Sequence, residues 1–196
     1  MAKKIIDLMY QTPPEWAETA LSDFGHFLAE HANAERKASA LAMSFIVRYP
    51  DRKKIIPPLI ELAAEELEHF QQVYEVMEQR GYDLVGDEQD AYVNALIKLC
   101  RHGRDERFLD RLLISGIVEN RGAERFRLVS EYMAGRDEDM RVFYRDLWAT
   151  EAKHANLFVD LALEYFDRDE VYARLEELTR KEADIVRELP WRASLH

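Results

Sequence analysis

One arrangement of acids and histidines is written twice along this chain. Glu35 is followed by Glu66 after 31 residues and by His69 after 34, while Glu119 is followed by Glu151 after 32 and by His154 after 35. A helix brings residues three apart onto one face, so each Glu-x-x-His presents a carboxylate and an imidazole together. The lone Glu in each set must then come from a partner helix. A single Glu-x-x-His is common among surface acids and core histidines. Two of them, each preceded by a glutamate at a matched distance, require two helix pairs that each turn three donors inward.

A second glutamate competes for one position, because Ala34-Glu35-Arg36 matches Ala123-Glu124-Arg125. Helix phase separates the candidates. The same-face neighbours of Glu35 are Leu28, His31, Ala32, Ala38, Ser39 and Ala42, and those of Glu119 are Leu112, Ser115, Gly116, Gly122, Ala123 and Phe126. Both stripes are mostly small or apolar, as a carboxylate between close helices needs. The face of Glu124 carries Ile117, Asn120, Arg121, Arg127, Leu128 and Glu131, which reads as a solvated surface. Glu119 is therefore the expected ligand.

Only seven Gly and six Pro interrupt 196 residues, and Ala, Leu, Glu and Arg run in long stretches, which favours an all-α chain. With 47% hydrophobic and 33% charged residues, the chain is expected to be one globular domain over 1–196. Its pseudo-repeat halves are about 22–81 and 104–166, with an N-terminal arm, a crossover helix and a C-terminal helix beside them. The N-terminal residues show no signal-peptide pattern and no apolar run nears 18 residues, so a soluble cytoplasmic protein with no membrane association is expected. Cys100 is alone and reads as a packed apolar residue rather than a nucleophile. The formal charge of −11 argues against broad affinity for nucleic acid, though local basic patches can still bind phosphate.

The helix boundaries follow from caps and breakers. Thr12-Pro13-Pro14 predicts a helix start, with Thr12 as cap, and a longer helix runs from Ser22 or Asp23 to about Arg48, where Pro50-Asp51 makes a turn. The next helix ends at Gly81 and is kinked or restarted at Pro57-Pro58. Residues 82–103 join the halves and contain a helix from about Glu88 to Arg101. Helices of about Asp105–Met133 and Asp137–Phe166 carry the second ligand set, and Asp167–Asp169 open a last helix reaching about Glu188.

Four carboxylates and two imidazoles are the donor set of the dinuclear iron or manganese centre inside ferritin-like four-helix bundles. The expected fold is therefore an all-α, ferritin-like four-helix bundle with a long crossover and additional flanking helices. Iron suits such a mixed oxygen and nitrogen set, so the expected cofactors are two iron ions held by Glu35, Glu66, His69, Glu119, Glu151 and His154. By likeness to such bundles, Glu66 and Glu151 bridge the metals, and Glu35 and Glu119 are terminal. Two ferrous ions together reduce dioxygen, which makes O2 the co-substrate. Helix phase draws Leu28, Leu62, Val73, Leu112, Phe126, Leu147 and Phe158 into an apolar surround suited to an aliphatic group.

These residues and their flanking words, His-Ala-Asn-Ala-Glu35-Arg-Lys-Ala, Glu-Leu-Ala-Ala-Glu66-Glu-Leu-Glu-His69-Phe, Ile-Val-Glu119-Asn-Arg-Gly-Ala-Glu-Arg-Phe and Glu151-Ala-Lys-His154-Ala, span most of the chain. In them the chain resembles the bacterial tRNA hydroxylases of the MiaE family. The resemblance implies oxygen-dependent hydroxylation of the isopentenyl side chain of 2-methylthio-N6-isopentenyl-adenosine, next to the anticodon. It also implies an external electron donor, supplied by a separate reductase. The two Glu-x-x-His motifs alone fit any ferritin-like protein.

A tRNA partner needs a cationic surface. Residues 48–54 hold Arg48, Arg52, Lys53 and Lys54 against one acid, and Arg101, Arg104 and Arg107 stand near the start of the second half. If the 82–103 join crosses the length of a bundle, these seven share one end and position phosphates. Tyr10, Trp16, Tyr49 and Trp148 are candidates for stacking on the modified base. A monomer is expected. Two other readings carry the same ligands: an iron-oxidising or iron-storage ferritin-like protein, and a non-catalytic helical interaction module.

Overall fold

The computed structural model describes residues 6–86 and 88–195, and every regular element among them is helical. Two compact units emerge. One holds the residues up to Glu18 together with Gln89–Pro190, and the other holds Thr19–Glu88 with Trp191–Leu195. The short helix α1 (Trp16–Ala20) spans the boundary between them. No helix among the described residues is long and apolar enough to cross a membrane.

The unit built from Thr19–Glu88 is an antiparallel hairpin of α2 (Phe24–Arg48) and α3 (Ile56–Arg80). The Asp23 carboxylate accepts the His26 N–H at 3.0 Å and starts α2. At the far end the Tyr49 N–H still reaches the Phe45 carbonyl, after which Pro50 ends the helix. A 3₁₀ turn over Lys53–Ile55 then leads into α3. Pro57 and Pro58 occupy the first turn of α3, where missing N–H groups cost nothing, so they restart the chain rather than kink it. Gly81 closes α3 at φ 73°, a left-handed conformation glycine adopts without strain. Phe27, Leu28, Phe45, Leu59, Leu62, Val73 and Met77 are buried, and the Ser39 hydroxyl donates to the Ala63 carbonyl at 2.7 Å, tying the two helices together.

In the other unit, α5 (Arg104–Met133) and α6 (Glu138–Leu163) form the corresponding antiparallel pair. Gly135, at φ 72°, and the Asp137 carboxylate, which accepts the Met140 N–H at 3.1 Å, build the turn between them. The smaller helices α4 (Ala91–Ile97) and α7 (Arg168–Glu188) pack beside α5. Arg121 on α5 is completely buried and joins three segments. It donates to both oxygens of Glu182 on α7 (2.8 and 3.0 Å), to Glu124, to the Thr12 hydroxyl (3.0 Å) and to the Tyr10 carbonyl (2.9 Å). Burial works against its charge, but the hydrogen bond and the charge of Glu182 more than offset this, so Arg121 sits above the ordinary arginine pKa.

Three boundaries differ from the sequence expectation. Thr12 caps no helix, because its N–H and hydroxyl both donate to the Glu124 carboxylate, at 2.8 and 2.7 Å, and α1 begins only at Trp16. The join helix is shorter than Glu88–Arg101, since the Arg101 N–H goes to Asp110 at 2.8 Å instead of continuing the helical ladder. Beyond Leu163, α6 unwinds into a turn in which the N–H groups of Tyr165 and Phe166 share the Ala162 carbonyl.

Close approach of α5 to α6 depends on Gly116. A Cβ there would stand 2.9 Å from the Ala155 carbonyl oxygen and 3.0 Å from the Ile6 side chain, whereas one at Gly122, on the same helix, would meet nothing within 4 Å. We therefore expect Gly116→Ala to destabilise the protein by about 1–3 kcal/mol, while Gly122→Ala stabilises it by about 0.5–1 kcal/mol through helix propensity. Thermal unfolding of the two variants checks this. Equal shifts of the same sign would mean the backbones are not held at that distance.

Candidate metal centre

Each unit carries one of the predicted donor sets, and each set is assembled. In the α2–α3 hairpin, Glu35, Glu66 and His69 are buried and offer ligand atoms that all lie within 4.8 Å of one another. His69 Nδ1 is 3.3 Å from Glu66 Oε2 and 3.9 Å from Glu35 Oε2. In the α5–α6 pair, Glu119, Glu151 and His154 meet the same 4.8 Å limit, with Glu119 half-buried and the other two buried. His154 Nδ1 lies 3.3 Å from Glu151 Oε2, the same distance between the same atoms as in the first set.

This geometry fits a metal ion. Two donors that each stand about 2.1 Å from one ion in octahedral geometry are about 3 Å apart, near the spacing of both His Nδ1–Glu Oε2 pairs. Carboxylates taken out of water and grouped this closely repel unless a cation or protons lie among them. Oxygen donors with one imidazole per set suit iron or manganese.

Glu35 has a partner that was visible on the predicted stripe but was given no role there. His31 lies one turn earlier on α2, is completely buried, and places Nε2 2.6 Å from Glu35 Oε1. The only sequence signal was a histidine four residues before the lone glutamate. In the second set the same position is Ser115, whose hydroxyl donates to the Arg111 carbonyl at 2.8 Å.

The expected solvated face around Glu124 is a correction. Glu124, Arg121, Ile117 and Leu128 are all buried, because α7 and the N-terminal arm cover that side of α5. The Glu124 oxygens are taken up by Thr12 and Arg121, whereas Glu119 lies with Glu151 and His154.

The apolar residues expected around the ligands, Leu28, Leu62, Val73, Leu112, Phe126, Leu147 and Phe158, are all in the core. Two of the four aromatic candidates are also core residues: Tyr49 is buried, and Trp16 is buried beneath the Arg125 guanidinium, which is 5.0 Å from its ring. Tyr10 is half-buried, while Trp148 is 39% exposed and lines an open cleft of about 260 Å³ with Gln11, Asn120 and Arg127. Among the expected cations, Arg48, Lys53, Lys54 and Arg104 are exposed, and Arg52 and Arg107 are half-buried. Arg101 is already engaged by Asp110, with its NH2 nitrogen 2.9 Å from Oδ1.

Separate roles for the two glutamates on α5 give a direct test. Glu119→Ala should lower metal stoichiometry with a small effect on unfolding. Glu124→Ala should keep the metal and cost about 2–4 kcal/mol, because it removes one carboxylate partner of a buried arginine. Metal analysis and urea unfolding on both variants read the outcome, and metal loss in Glu124→Ala with full loading in Glu119→Ala would reverse the assignment.

Comparison with known proteins agrees with this geometry. The chain is 34% identical over 169 residues, 86% of its length and 80% of the relative's, to the tRNA 2-(methylsulfanyl)-N(6)-isopentenyladenosine(37) hydroxylase of Pseudomonas putida. It is 30% identical over 137 residues to the hydroxylase of the same name from Salmonella typhimurium, covering 70% of this chain and 49% of that one. Among solved structures, Protein 43 with aldehyde deformylating oxygenase activity from Synechococcus superposes with a TM-score of 0.90 at 33% identity, over 96% of this chain and 94% of its own. The fold class is thus all-α and ferritin-like, as the doubled donor pattern led us to expect. A family model described as tRNA-(MS[2]IO[6]A)-hydroxylase (MiaE) matches residues 1–196. With both donor sets inside the matched region, the chain belongs to the MiaE family of tRNA hydroxylases.

Proposed function

We propose that this chain is an O2-dependent diiron monooxygenase that hydroxylates the isopentenyl side chain of 2-methylthio-N6-isopentenyl-adenosine beside the anticodon in tRNA. The observation that carries the reading is the pair of matching buried Glu, Glu, His sets in a chain with hydroxylase relatives over most of its length. In this reading 1–196 acts as one domain and as a monomer, and each of the two sets contributes three ligands to the two irons. Glu35, Glu66 and His69 would hold one metal, and Glu119, Glu151 and His154 the other.

Iron held there supplies the electrons that activate dioxygen. The protein's own residues do the rest. Deprotonated carboxylates and neutral imidazoles hold the metals, and the buried aliphatic and aromatic side chains around them exclude water and favour an apolar tail. One oxygen atom enters a C–H bond of the isopentenyl group, and the other leaves as water with two electrons and two protons from a separate reductase. Incubating the iron-loaded protein with modified tRNA, a reductant and labelled dioxygen should place label in the hydroxylated nucleoside. Label arriving only from water would remove the oxygenase mechanism.

A second reading has its own support in the likeness to the Synechococcus protein with aldehyde deformylating oxygenase activity. A parallel incubation with a long-chain aldehyde separates the two, since hydrocarbon formation with no nucleoside product would favour it.

Docking of tRNA is assigned to Arg48, Arg52, Lys53 and Lys54, with Arg101, Arg104 and Arg107, because exposed cations in two short segments offset an otherwise acidic chain. Each phosphate contact removed should flatten the salt dependence by about one in log–log slope. A Lys53→Ala/Lys54→Ala/Arg104→Ala variant should therefore bind tRNA more weakly and with a shallower slope while keeping its iron. Affinities and slopes equal to wild type would place the docking surface elsewhere.

A further inference from the structure

The two donor sets differ just outside their ligands. His31 is completely buried on α2, and its Nε2 approaches Glu35 Oε1 at 2.6 Å, while the other oxygen of the same carboxylate, Oε2, is the one that faces His69 Nδ1 at 3.9 Å. With Glu35 ionised, as a metal ligand must be, its carboxylate only accepts, so Nε2 carries the proton and donates it. One oxygen of Glu35 is thereby tied to a buried ring, and the other is left turned toward His69. Phe27, whose ring centroid is 6.4 Å from that of His31, packs against the imidazole. In the second set the position four residues before the lone glutamate is Ser115, whose hydroxyl gives its proton to the Arg111 carbonyl.

We infer that His31 is a positioning residue that fixes Glu35 as a one-oxygen ligand through Oε2 and so sets the affinity of the metal held by Glu35, Glu66 and His69. The inference rests on the proposed role of Glu35 as a ligand and adds to it a residue that orients that ligand. Partners that orient a ligand from outside the coordination sphere contribute about 10–100-fold in metal affinity.

Titration of the metal-free full-length protein with Co(II), followed by visible absorption, tests it without any turnover. Wild type should take up two equivalents. His31→Leu should bind one equivalent about 10–100-fold more weakly, with a changed absorption spectrum for that ion, and leave the other unchanged. His31→Gln, whose side-chain amide can donate from near the position of Nε2, should restore both affinity and spectrum, which a purely space-filling role for His31 would not predict. If the Leu variant fails to fold, His31→Phe keeps the ring volume without the donor and takes its place. Two equivalents bound by the donor-free variant with wild-type affinity and spectrum would overturn the inference while leaving the two-metal centre intact. Fewer than two equivalents in wild type would overturn the centre, and the inference with it.

Discussion

Charged groups taken out of water need partners, and this requirement organises both units. A buried ion costs several kcal/mol after relaxation unless opposite charge and hydrogen bonds meet it. The chain meets the cost in two ways. In the second unit's interior, Arg121 and Arg174 are matched to Glu124, Glu182 and Asp110 by direct hydrogen bonds, so these clusters are complete within the polypeptide. The Glu, Glu, His sets instead group acids with acids, an arrangement that a bound cation would complete.

The helix pairs supply the geometry this demands. Each pair needs a tight turn at one end and a close approach along its length, and the side chains and backbone provide both. Pro50 and the prolines at the start of α3 make the first turn without sacrificing helical hydrogen bonds, and Gly135 with Asp137 makes the second. Gly116 lets the α5 backbone come close to Ala155, one turn beyond Glu151. Sets built from two rigid helices hold donors more closely than loops would.

The surface separates from this interior in charge. An acidic chain with buried arginines has fewer cations available for a polyanion than its composition implies, because Arg121, Arg125 and Arg174 are inside and Arg101 is held by Asp110. In the proposed docking of tRNA, the exposed cations of 48–54 and Arg104 therefore carry more weight than the net charge indicates.

Periodicity and spacing alone determined the all-helical class and most helix ends, and brought out the six candidate donors that the structure gathers in two sets, because caps, breakers and helix faces depend on residues only three or four positions apart. The same local rules misjudged what surrounds α5. Glu124 and Arg121 look solvated by helix phase, yet α7 and the N-terminal arm cover them, and that burial depends on Glu182 and Thr12, which lie 61 and 109 residues from Arg121. Thr12 was lost as a cap and the join helix was shortened at Arg101 for the same reason, since a distant or buried carboxylate outcompeted the local backbone partner. His31 stood on the ligand stripe throughout. Only the folded side-chain arrangement decided that it holds Glu35 and that Ser115 turns away from Glu119, because hydrogen-bond partners are chosen by packed geometry and sequence spacing supplies only the opportunity.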